Sequence, residues 1–439
     1  WKLGIPATTQ HNEVAPAQHE MAPIYTMCNL AVDQNQLAME TMKRVATRHG
    51  LVCLLHEKPY AGVNGSGKHD NWSLTTNLGE NLLDPGDTPN ENLQFLLVLS
   101  CIIKAVDVHA DLLRCSASNP GNEHRLGAQE APPAIISIFL GDQLDSVVDQ
   151  IVSNADSVQL LATTKLYFGV PTVPLIKKDA TDRNRTSPFA FTGNKFEFRM
   201  VGSSDSIADA NTTLNAIVAE AMCEAADVLE KADDFNTACF KLIHDMLSAH
   251  HRVIFNGNGY SNAWVEEAAR RGLPNLPSMV NAIPSLTTEK AENLFTKFNI
   301  YTKSELEARA EIMYETYAKT QTMIHMAGKH YIPAAIHYCT RLGQSIAAVT
   351  GAGVAAPVQK ELLEKCSALL SQASEALEKL KVLLPQVDSM DDVPAMAMAY
   401  HDQIVPAMAA LRKPVDELEL LVDKAIWPMP TYGDLMFEV

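Results

Sequence analysis

The chain has 439 residues, 47% of them apolar, and a formal net charge of −17. Its length allows two or three domains with a large core. The excess of acidic residues argues against nucleic acid or an anionic membrane surface as a partner. No apolar run reaches the roughly 20 residues that a membrane-spanning helix needs.

Eight cysteines are scattered along the chain without a C-x-x-C pair. This pattern indicates reduced thiols in an intracellular protein. We therefore expect a cytoplasmic location, or the plastid stroma if the source is a photosynthetic eukaryote. The chain begins with Trp1 instead of Met and shows no signal segment, which indicates a fragment or a processed product.

The first polar motif is H-N-E-V-A-P-A-Q-H-E over residues 11–20. It combines Glu13, Glu20 and two histidines, and carboxylates with imidazoles suit divalent cations. A bend at Pro16 would bring the two glutamates together, where their repulsion requires a cation or a proton. A solvated polar loop is the alternative.

A glycine-rich loop follows a predicted helix and strand. Helical spacing over 33–49 and an apolar run over 51–55 predict a helix and then a buried strand. The strand leads into K-P-Y-A-G-V-N-G-S-G-K-H-D-N-W-S, whose glycines let the backbone approach a ligand closely. His69 offers a metal ligand or a proton-transfer group. A tight turn with a solvated histidine is the alternative.

Residues 93–118 have the apolar pattern of a long helix, and 134–140 have that of a strand. The glycines and prolines between them predict a loop over 119–133. In this loop Arg125 is suited to pair with a carboxylate and Glu130 to act as a base. A solvated loop with a surface ion pair is the alternative.

Two further motifs are R-N-R and K-F-E-F-R. Period-two alternation places Lys195, Glu197 and Arg199 on one face of a strand. A solvated face is one interpretation. The neighbouring Arg183 and Arg185 favour another, a basic cluster suited to a polyphosphate.

From about residue 205 helical periodicity replaces strand patterns. We therefore divide the chain into a sheet portion with the motifs, 1–205, and a helical portion, 206–439. The predicted helices of the second portion cover 207–250, 287–297, 304–348, 357–384 and 391–424.

Several boundaries in the helical portion carry end signals. Thr288 is placed to start a helix, and Gly351 and Pro385 are placed to end helices. The helix 357–384 is amphipathic, so we expect it to pack on neighbouring helices or on another subunit. The apolar last residues, 426–439, are expected to dock on the protein.

Carboxylates and an imidazole can bind divalent cations, and arginines can neutralise phosphate charge, so these residues together suit a site for a metal-bound polyphosphate. The residues therefore predict ATP-dependent group transfer, without naming the substrate. The series E-V-A-P-A-Q-H-E, K-P-x-x-G-x-N-G-S-G-x-H-x-x-x-S, R-L-x-x-x-E-A-P, R-N-R and E-F-R, in this order over 11–199, resembles the catalytic domain of the glutamine synthetase family from its middle onward. The long helical remainder and the ending P-T-Y-G-D-L-M-F-E-V resemble its type III branch.

The resemblance implies an α+β fold, a curved antiparallel sheet with helices, followed by a largely helical C-terminal region. It implies Mg²⁺ or Mn²⁺, with two or three ions in each site, and ATP as co-substrate. Glu13 and Glu20 match ligands of the first metal ion. His69 and Glu197 match ligands of the second.

The resemblance also implies how the amino-acid substrate is held. Asn64 and Gly65 match loop positions that bind the backbone groups of glutamate. Arg125 and Arg199 match arginines that contact its carboxylates, and Arg199 is also counted among the catalytic residues.

Four further residues match positions for the flap, the phosphate and the nucleotide. Glu130 matches the flap glutamate that takes a proton from ammonium. Arg185 matches the arginine that stabilises the transferred phosphate beside ATP. Ser73 and Lys195 fall at nucleotide-contact positions.

The implied reaction is the ATP-dependent ligation of glutamate and ammonia to glutamine through a γ-glutamyl phosphate. The implied assembly is a homo-oligomer, a double-ring dodecamer. The family's upstream metal-binding strand and small N-terminal domain are absent from this chain, and a second phosphate arginine is replaced by Ala190. A related ligase for a larger amine and a non-catalytic scaffold are the alternatives.

Overall fold

The structure is a computed structural model, and it describes residues 1–153, 165–166, 176–177, 184–317 and 322–430. Arg183 of the R-N-R motif and the terminal residues 431–439 lie outside the described residues. The chain divides into two compact units, an N-terminal unit of Trp1–Glu307 and a C-terminal unit of Ala308–Val439.

Short strands form three small sheets. The strands are β1 Ala7–Asn12, β2 His19–Pro23, β3 Asp70–Trp72, β4 Ile138–Phe139, β5 Lys165–Leu166, β6 Ile176–Lys177, β7 Phe189–Phe191 and β8 Phe196–Phe198. β1 and β2 form an antiparallel hairpin, and β5 pairs with β6 in antiparallel orientation. The central sheet has the order β3-β8-β7-β4, with β4 parallel to β7 and the other pairs antiparallel.

Helices make up most of the rest of the N-terminal unit. They are α1 Cys28–Arg48, α2 Leu93–Val108, α3 Ala110–Cys115, α4 Pro120–Arg125, α5 Asp142–Val152, α6 Ala208–Leu229, α7 Phe235–His250, α8 Asn262–Arg270, α9 Met279–Ala282 and α10 Glu289–Lys297. The next helix, α11 Lys303–Tyr317, begins in this unit and continues past Glu307 into the C-terminal unit. Thr288, predicted to start a helix, caps α10 by accepting a hydrogen bond from Ala291 N.

The hydrophobic core of this unit joins the central sheet to the helices. The rings of Phe189 and Phe196 stack with centroids 4.5 Å apart, and Phe198 packs edge-on to Phe189. The apolar faces of α2, α6, α7 and α10 complete the same core. The helices α6 to α10 therefore belong to the same compact unit as the sheet. The boundary between the two compact units comes after Glu307.

Some sequence-based element predictions differ from the structure. The strand predicted over 51–55 is wrong, because these residues pair with no strand among the described residues and Leu51 and Val52 are exposed. The helix predicted over 93–118 breaks at His109, between α2 and α3. The predicted loop over 119–133 contains the short helix α4, which Asn119 caps with its side chain.

Helices make up most of the described part of the C-terminal unit. Its helices are α12 Thr322–Met326, α13 Ile332–Gly351, α14 Pro357–Asp388, α15 Val393–Ala399 and α16 Val405–Glu419, with π-helical turns at Ala327–Tyr331 and Tyr400–Ile404. α13 ends at Gly351 as predicted, whereas α14 continues through Pro385, so the predicted stop there is wrong. Trp427 docks by stacking on Tyr331.

The predicted α+β class is confirmed, with the refinement that the parallel strand β4 makes the central sheet mixed. The apolar face of α14 is buried within the C-terminal unit, where α14 packs on α13 and α16. Among the described residues, no helix combines the length and the apolar character that crossing a membrane requires.

Candidate active site

A histidine and two glutamates meet at the β1–β2 hairpin. The hairpin register pairs His11 with Glu20, and the turn brings Glu13 to the same place. The His11 Nε2 atom lies 2.7 Å from Glu13 Oε1 and 3.3 Å from Glu20 Oε2. The possible ligand atoms of the three side chains all lie within 4.8 Å of one another. The expected convergence of Glu13 and Glu20 is thus found, through a hairpin.

His11 was not among the predicted metal ligands. Its membership follows from cross-strand pairing, which the sequence pattern alone did not specify. The signal was nevertheless present, because the motif begins with His11 and strand partners across a hairpin have neighbouring side chains.

The two glutamates of this cluster affect each other's pKa. A hydrogen bond with Glu20 is the main cause that lowers the pKa of Glu13, and burial is the main cause that raises the pKa of Glu20. The charge of His69 lowers the pKa of both. Two carboxylates and one imidazole form a donor set that fits a divalent cation such as Mn²⁺ or Mg²⁺.

Gln18 joins the hairpin to the glycine loop. Its Nε2 atom donates to the carbonyl oxygen of Gly65 at 2.9 Å and lies 3.0 Å from Ser66 Oγ. The loop thus returns to the neighbourhood of Glu13 and Glu20, as the order of the segments predicted.

His69 and Glu197, the predicted ligands of a second metal ion, also lie together. β3 pairs with β8 so that Glu197 is opposite Asn71, two residues from His69. His69 Nδ1 lies 3.0 Å from Glu197 Oε1, and Arg199 Nη2 lies 2.8 Å from Glu197 Oε2. Burial would raise the pKa of Glu197, but the hydrogen bond with His69 and the charge of Arg199 lower it to about 2.

The interpretation of the β8 charges as a solvated face is wrong. The side chain of Glu197 is 1% exposed and that of Arg199 is 3% exposed. Arg199 also donates from Nη1 to the carbonyl oxygen of Asn184 at 2.5 Å. The Glu197 carboxylate therefore stays charged in the protein interior, between His69 and Arg199.

Arg125 supports the glycine loop from beneath. It is 3% exposed, and its guanidinium donates to the carbonyl oxygens of Arg199 at 2.9 Å and Met200 at 3.2 Å. A Cβ atom at Gly67 would lie 2.1 Å from Arg125 Nη2, and one at Gly65 would lie 2.9 Å from its Cγ. The structure therefore places Arg125 under the loop, and its contact with substrate carboxylates stays a prediction.

Asn64, Glu130 and Arg185 form a third group. Asn64 Nδ2 donates to Glu130 Oε2 at 3.2 Å, and Arg185 Nη1 forms an ion pair with Glu130 Oε1. Glu130 has a φ of 69° and its neighbour Gln129 a φ of 52°. This left-handed backbone is uncommon for residues other than glycine and turns the Glu130 side chain toward the loop.

Lys58 fastens the segment that carries Glu130. Its Nζ atom donates to the carbonyl oxygen of Val63 and to Gln129 Oε1. Burial lowers the pKa of Lys58. The start of the glycine motif and the Glu130 segment are therefore held to each other by one ammonium group.

Family models match two stretches of this sequence. Residues 1–108 match the glutamine synthetase catalytic domain, and residues 238–350 match the glutamine synthetase C-terminal domain. The whole chain aligns with the Type-3 glutamine synthetase of Dictyostelium discoideum at 44% identity and covers 61% of it. The chain belongs to the glutamine synthetase family.

Two bacterial relatives agree with this assignment. A glutamine synthetase of Butyrivibrio fibrisolvens is 42% identical over 100% of the chain, which covers 64% of that protein. One of Bacteroides fragilis is 39% identical over 99% of the chain, which covers 62% of it. The chain thus spans about three fifths of the length of these curated relatives. The family inferred from the five motifs is confirmed, and the match to a type-3 protein agrees with the inferred branch.

Ser73 and Lys195, at the family's nucleotide-contact positions, share a neighbour. Ser73 Oγ lies 3.2 Å from the carbonyl oxygen of Asn194, and Lys195 Nζ lies 3.5 Å from Asn194 Oδ1. Both residues lie near Asn194 because Trp72, which precedes Ser73, pairs with Phe196, which follows Lys195. Their contact with nucleotide stays a prediction.

Sequence reasoning missed a buried polar cluster behind the loop. Glu57 Oε1 accepts from Ser204 N at 2.9 Å and from Asn119 Nδ2 at 3.1 Å. Asn119 Nδ2 also donates to Asp205 Oδ2, and burial raises the pKa of Asp205. The only hint in the sequence was the position of Glu57 next to the K-P pair.

Lys68 belongs to the same cluster. It donates from Nζ to the carbonyl oxygens of Gly202 at 3.1 Å, Ser203 at 2.7 Å and Asp205 at 2.5 Å. Burial lowers its pKa to about 8. Lys68 therefore fixes the turn after β8 with its ammonium group.

Proposed function

We propose that the protein containing this chain ligates glutamate and ammonia to glutamine at the expense of ATP. The proposal rests on one observation. The family motifs form three polar groups, and within each group the side chains lie close together or are joined by hydrogen bonds and ion pairs: His11/Glu13/Glu20, His69/Glu197/Arg199 and Asn64/Glu130/Arg185.

Two of these groups are suited to hold divalent metal ions. We assign Glu13, Glu20 and His11 to one ion and His69 and Glu197 to another, with Mg²⁺ or Mn²⁺ as the ions. Such ions, when bound, neutralise the charge that develops on phosphate and carboxylate oxygens. The convergence of three possible ligand groups supports the first assignment, because two repelling carboxylates favour a cation between them.

The third group supplies the remaining steps. In the first step, a carboxylate oxygen of glutamate attacks the terminal phosphorus of ATP, giving γ-glutamyl phosphate and ADP. Arg185, whose side chain is 67% exposed, exchanges its Glu130 partner for the transferred phosphoryl oxygens.

In the second step, Glu130 accepts a proton from ammonium, and the ammonia formed attacks the acyl carbon. Phosphate leaves and glutamine remains. Asn64 holds Glu130 near the loop during this step, since the two side chains already share a hydrogen bond. Asn64 and Gly65 also bind the backbone groups of glutamate in this proposal.

The predicted test is Glu130→Ala in the full-length protein. We expect loss of glutamine formation by at least about 100-fold, because general acid–base groups contribute roughly 10²–10⁴-fold, while ATP affinity stays within about twofold. Glutamine formation is measured with ammonia as acceptor, and ATP binding by calorimetry. Full synthesis by this variant would remove Glu130 from the mechanism.

The same assay separates the alternatives. A preference for methylamine or another small amine over ammonia would identify a γ-glutamyl amine ligase. ATP binding without turnover on any amine would favour a non-catalytic scaffold. A homo-oligomer, in the form of a double-ring dodecamer, and a cytoplasmic or plastid location belong to the same proposal, and light scattering of the intact protein measures the first.

A further inference from the structure

The loop 256–260 is fastened beside the third polar group. Gly259 N donates to Thr186 Oγ1 at 2.8 Å, and Asn184 Nδ2 donates to the carbonyl oxygen of Gly257 at 2.7 Å. A Cβ atom at Gly259 would lie 2.7 Å from the carbonyl oxygen of Thr186, so the two segments touch along their backbones. The next residue after this contact is therefore held in a defined position.

That residue is Tyr260, whose hydroxyl group is buried. Its oxygen faces the Glu130 backbone N–H, and its O–H has no acceptor in the described part of the chain. Burial raises the pKa of the Tyr260 phenol, and the Glu130 carboxylate raises it further. The Glu130 backbone amide, Arg199 and Arg125 act in the opposite direction. The phenol therefore lies near Glu130 and Arg199 and keeps its proton at neutral pH.

Arg199 carries a second unpartnered donor. Its two terminal nitrogens bond Glu197 and Asn184, but its Nε–H is buried without an acceptor among the described residues. A buried donor without a partner is unfavourable, because its desolvation is not offset by a hydrogen bond. Two such donors in one neighbourhood fit an anionic ligand, because a carboxylate has two oxygens that accept hydrogen bonds.

We propose that the Tyr260 hydroxyl, together with Arg199 Nε–H, binds a carboxylate group of the amino-acid substrate. This inference rests on the proposed function, since glutamate supplies the carboxylate. Phosphate oxygens of ATP share the same acceptor chemistry, so the test compares the two ligands. Tyr260 is a substrate-binding residue here, and Arg199 Nη2 keeps its bond to Glu197.

The test is Tyr260→Phe, which removes one oxygen and keeps the ring. Hydrogen bonds to charged groups contribute about 1.5–3 kcal/mol, so we expect the Kd for L-glutamate to rise roughly 10- to 100-fold. Calorimetry with ADP and Mg²⁺ present measures this Kd in the full-length protein. We expect ATP affinity to stay within about twofold and Tm to stay close to that of the wild type, because the O–H of Tyr260 donates to no acceptor within the described part of the chain.

Tyr331→Phe is the matched control, since Tyr331 stacks on Trp427 in the C-terminal unit, and it should leave glutamate affinity unchanged. An unchanged glutamate Kd in Tyr260→Phe would overturn the inference, as would weaker binding of ATP alone or equal weakening of both ligands with a lower Tm. Because binding is measured without turnover, a wild-type protein that binds glutamate but forms no glutamine would refute only the proposed reaction. Failure of the wild type to bind glutamate would refute both.

Discussion

At the scale of single residues, Gly67 has a use that its place in the motif does not reveal. Glycines in such a loop suggest room for a ligand, but the atoms nearest to an added Cβ belong to the guanidinium of Arg125. That guanidinium is fixed by bonds to Asn122 and to the backbone carbonyls of Arg199 and Met200, which follow β8. The glycine is thus required by packing inside the chain.

We therefore expect Gly67→Ala to destabilise the protein by about 1–3 kcal/mol, because the methyl group forces a buried, hydrogen-bonded arginine to move. Urea unfolding measures the loss. Gly343→Ala is the control. Gly343 lies in α13 with no atom within 4 Å of an added Cβ, so alanine should stabilise it by about 0.5–1 kcal/mol. Equal stability of the Gly67→Ala variant and the wild type would contradict the role of Arg125.

The residues of the candidate site were predictable in unequal measure. Residue type and motif order identified Glu13, Glu20, His69 and Glu197, and the structure brings each predicted pair together. The direction of Arg125 was not predictable, because it depends on which backbone carbonyls the fold leaves unpaired nearby. Glu57 and Tyr260 were missed for a similar reason, since their surroundings come from segments distant in sequence.

At the scale of elements, the segment 127–131 around Glu130 is held mainly by contacts from outside it. It has two non-glycine residues with positive φ, and its internal backbone bonds are few, such as Ala131 N to Ala128 O at 3.1 Å. Lys58 anchors it through Gln129. A segment with a strained backbone that is anchored by the ammonium group of Lys58 is suited to open and close over a site.

Lys58→Met tests this anchoring, because methionine keeps the length of the side chain but donates no hydrogen bond. We expect amide hydrogen exchange across 127–131 to become about tenfold faster or more, since a bond from a charged donor contributes about 1.5–3 kcal/mol. Mass spectrometry of the exchanged peptides measures the rate. The control is Lys43→Met on the exposed side of α1, which should leave the exchange rate of these peptides unchanged. If residues 127–131 exchanged as slowly in Lys58→Met as in the wild type, the anchoring role of Lys58 would be refuted.

Elements were predictable where local signals suffice. Thr288 predicted the N-terminal cap of α10, and Gly351 predicted the end of α13. The strand expected over 51–55 fails because an apolar run shows only a preference for burial, whereas a strand also needs a partner to pair with. Pro385 does not stop α14, since the apolar packing of Leu380 and Leu384 continues around it.

At the scale of the whole molecule, each of the two compact units has a buried core of its own. Ile102 in α2 is fully buried among the sheet phenylalanines and helices of the N-terminal unit. Leu380 in α14, which is 1% exposed, belongs to the helical packing of the C-terminal unit. The change of composition at residue 205 did not reveal this division, because helices on both sides of Glu307 read alike in sequence.

Separate cores predict separate unfolding. We expect calorimetry to resolve two transitions, with Ile102→Ala lowering the Tm of one and Leu380→Ala lowering the Tm of the other. Each substitution leaves a cavity that costs about 2–5 kcal/mol, enough to shift a transition by several degrees. Val382→Ala, on the exposed side of α14, is the control and should shift neither transition. A single transition lowered alike by both core variants would mean that the two units unfold as one cooperative body.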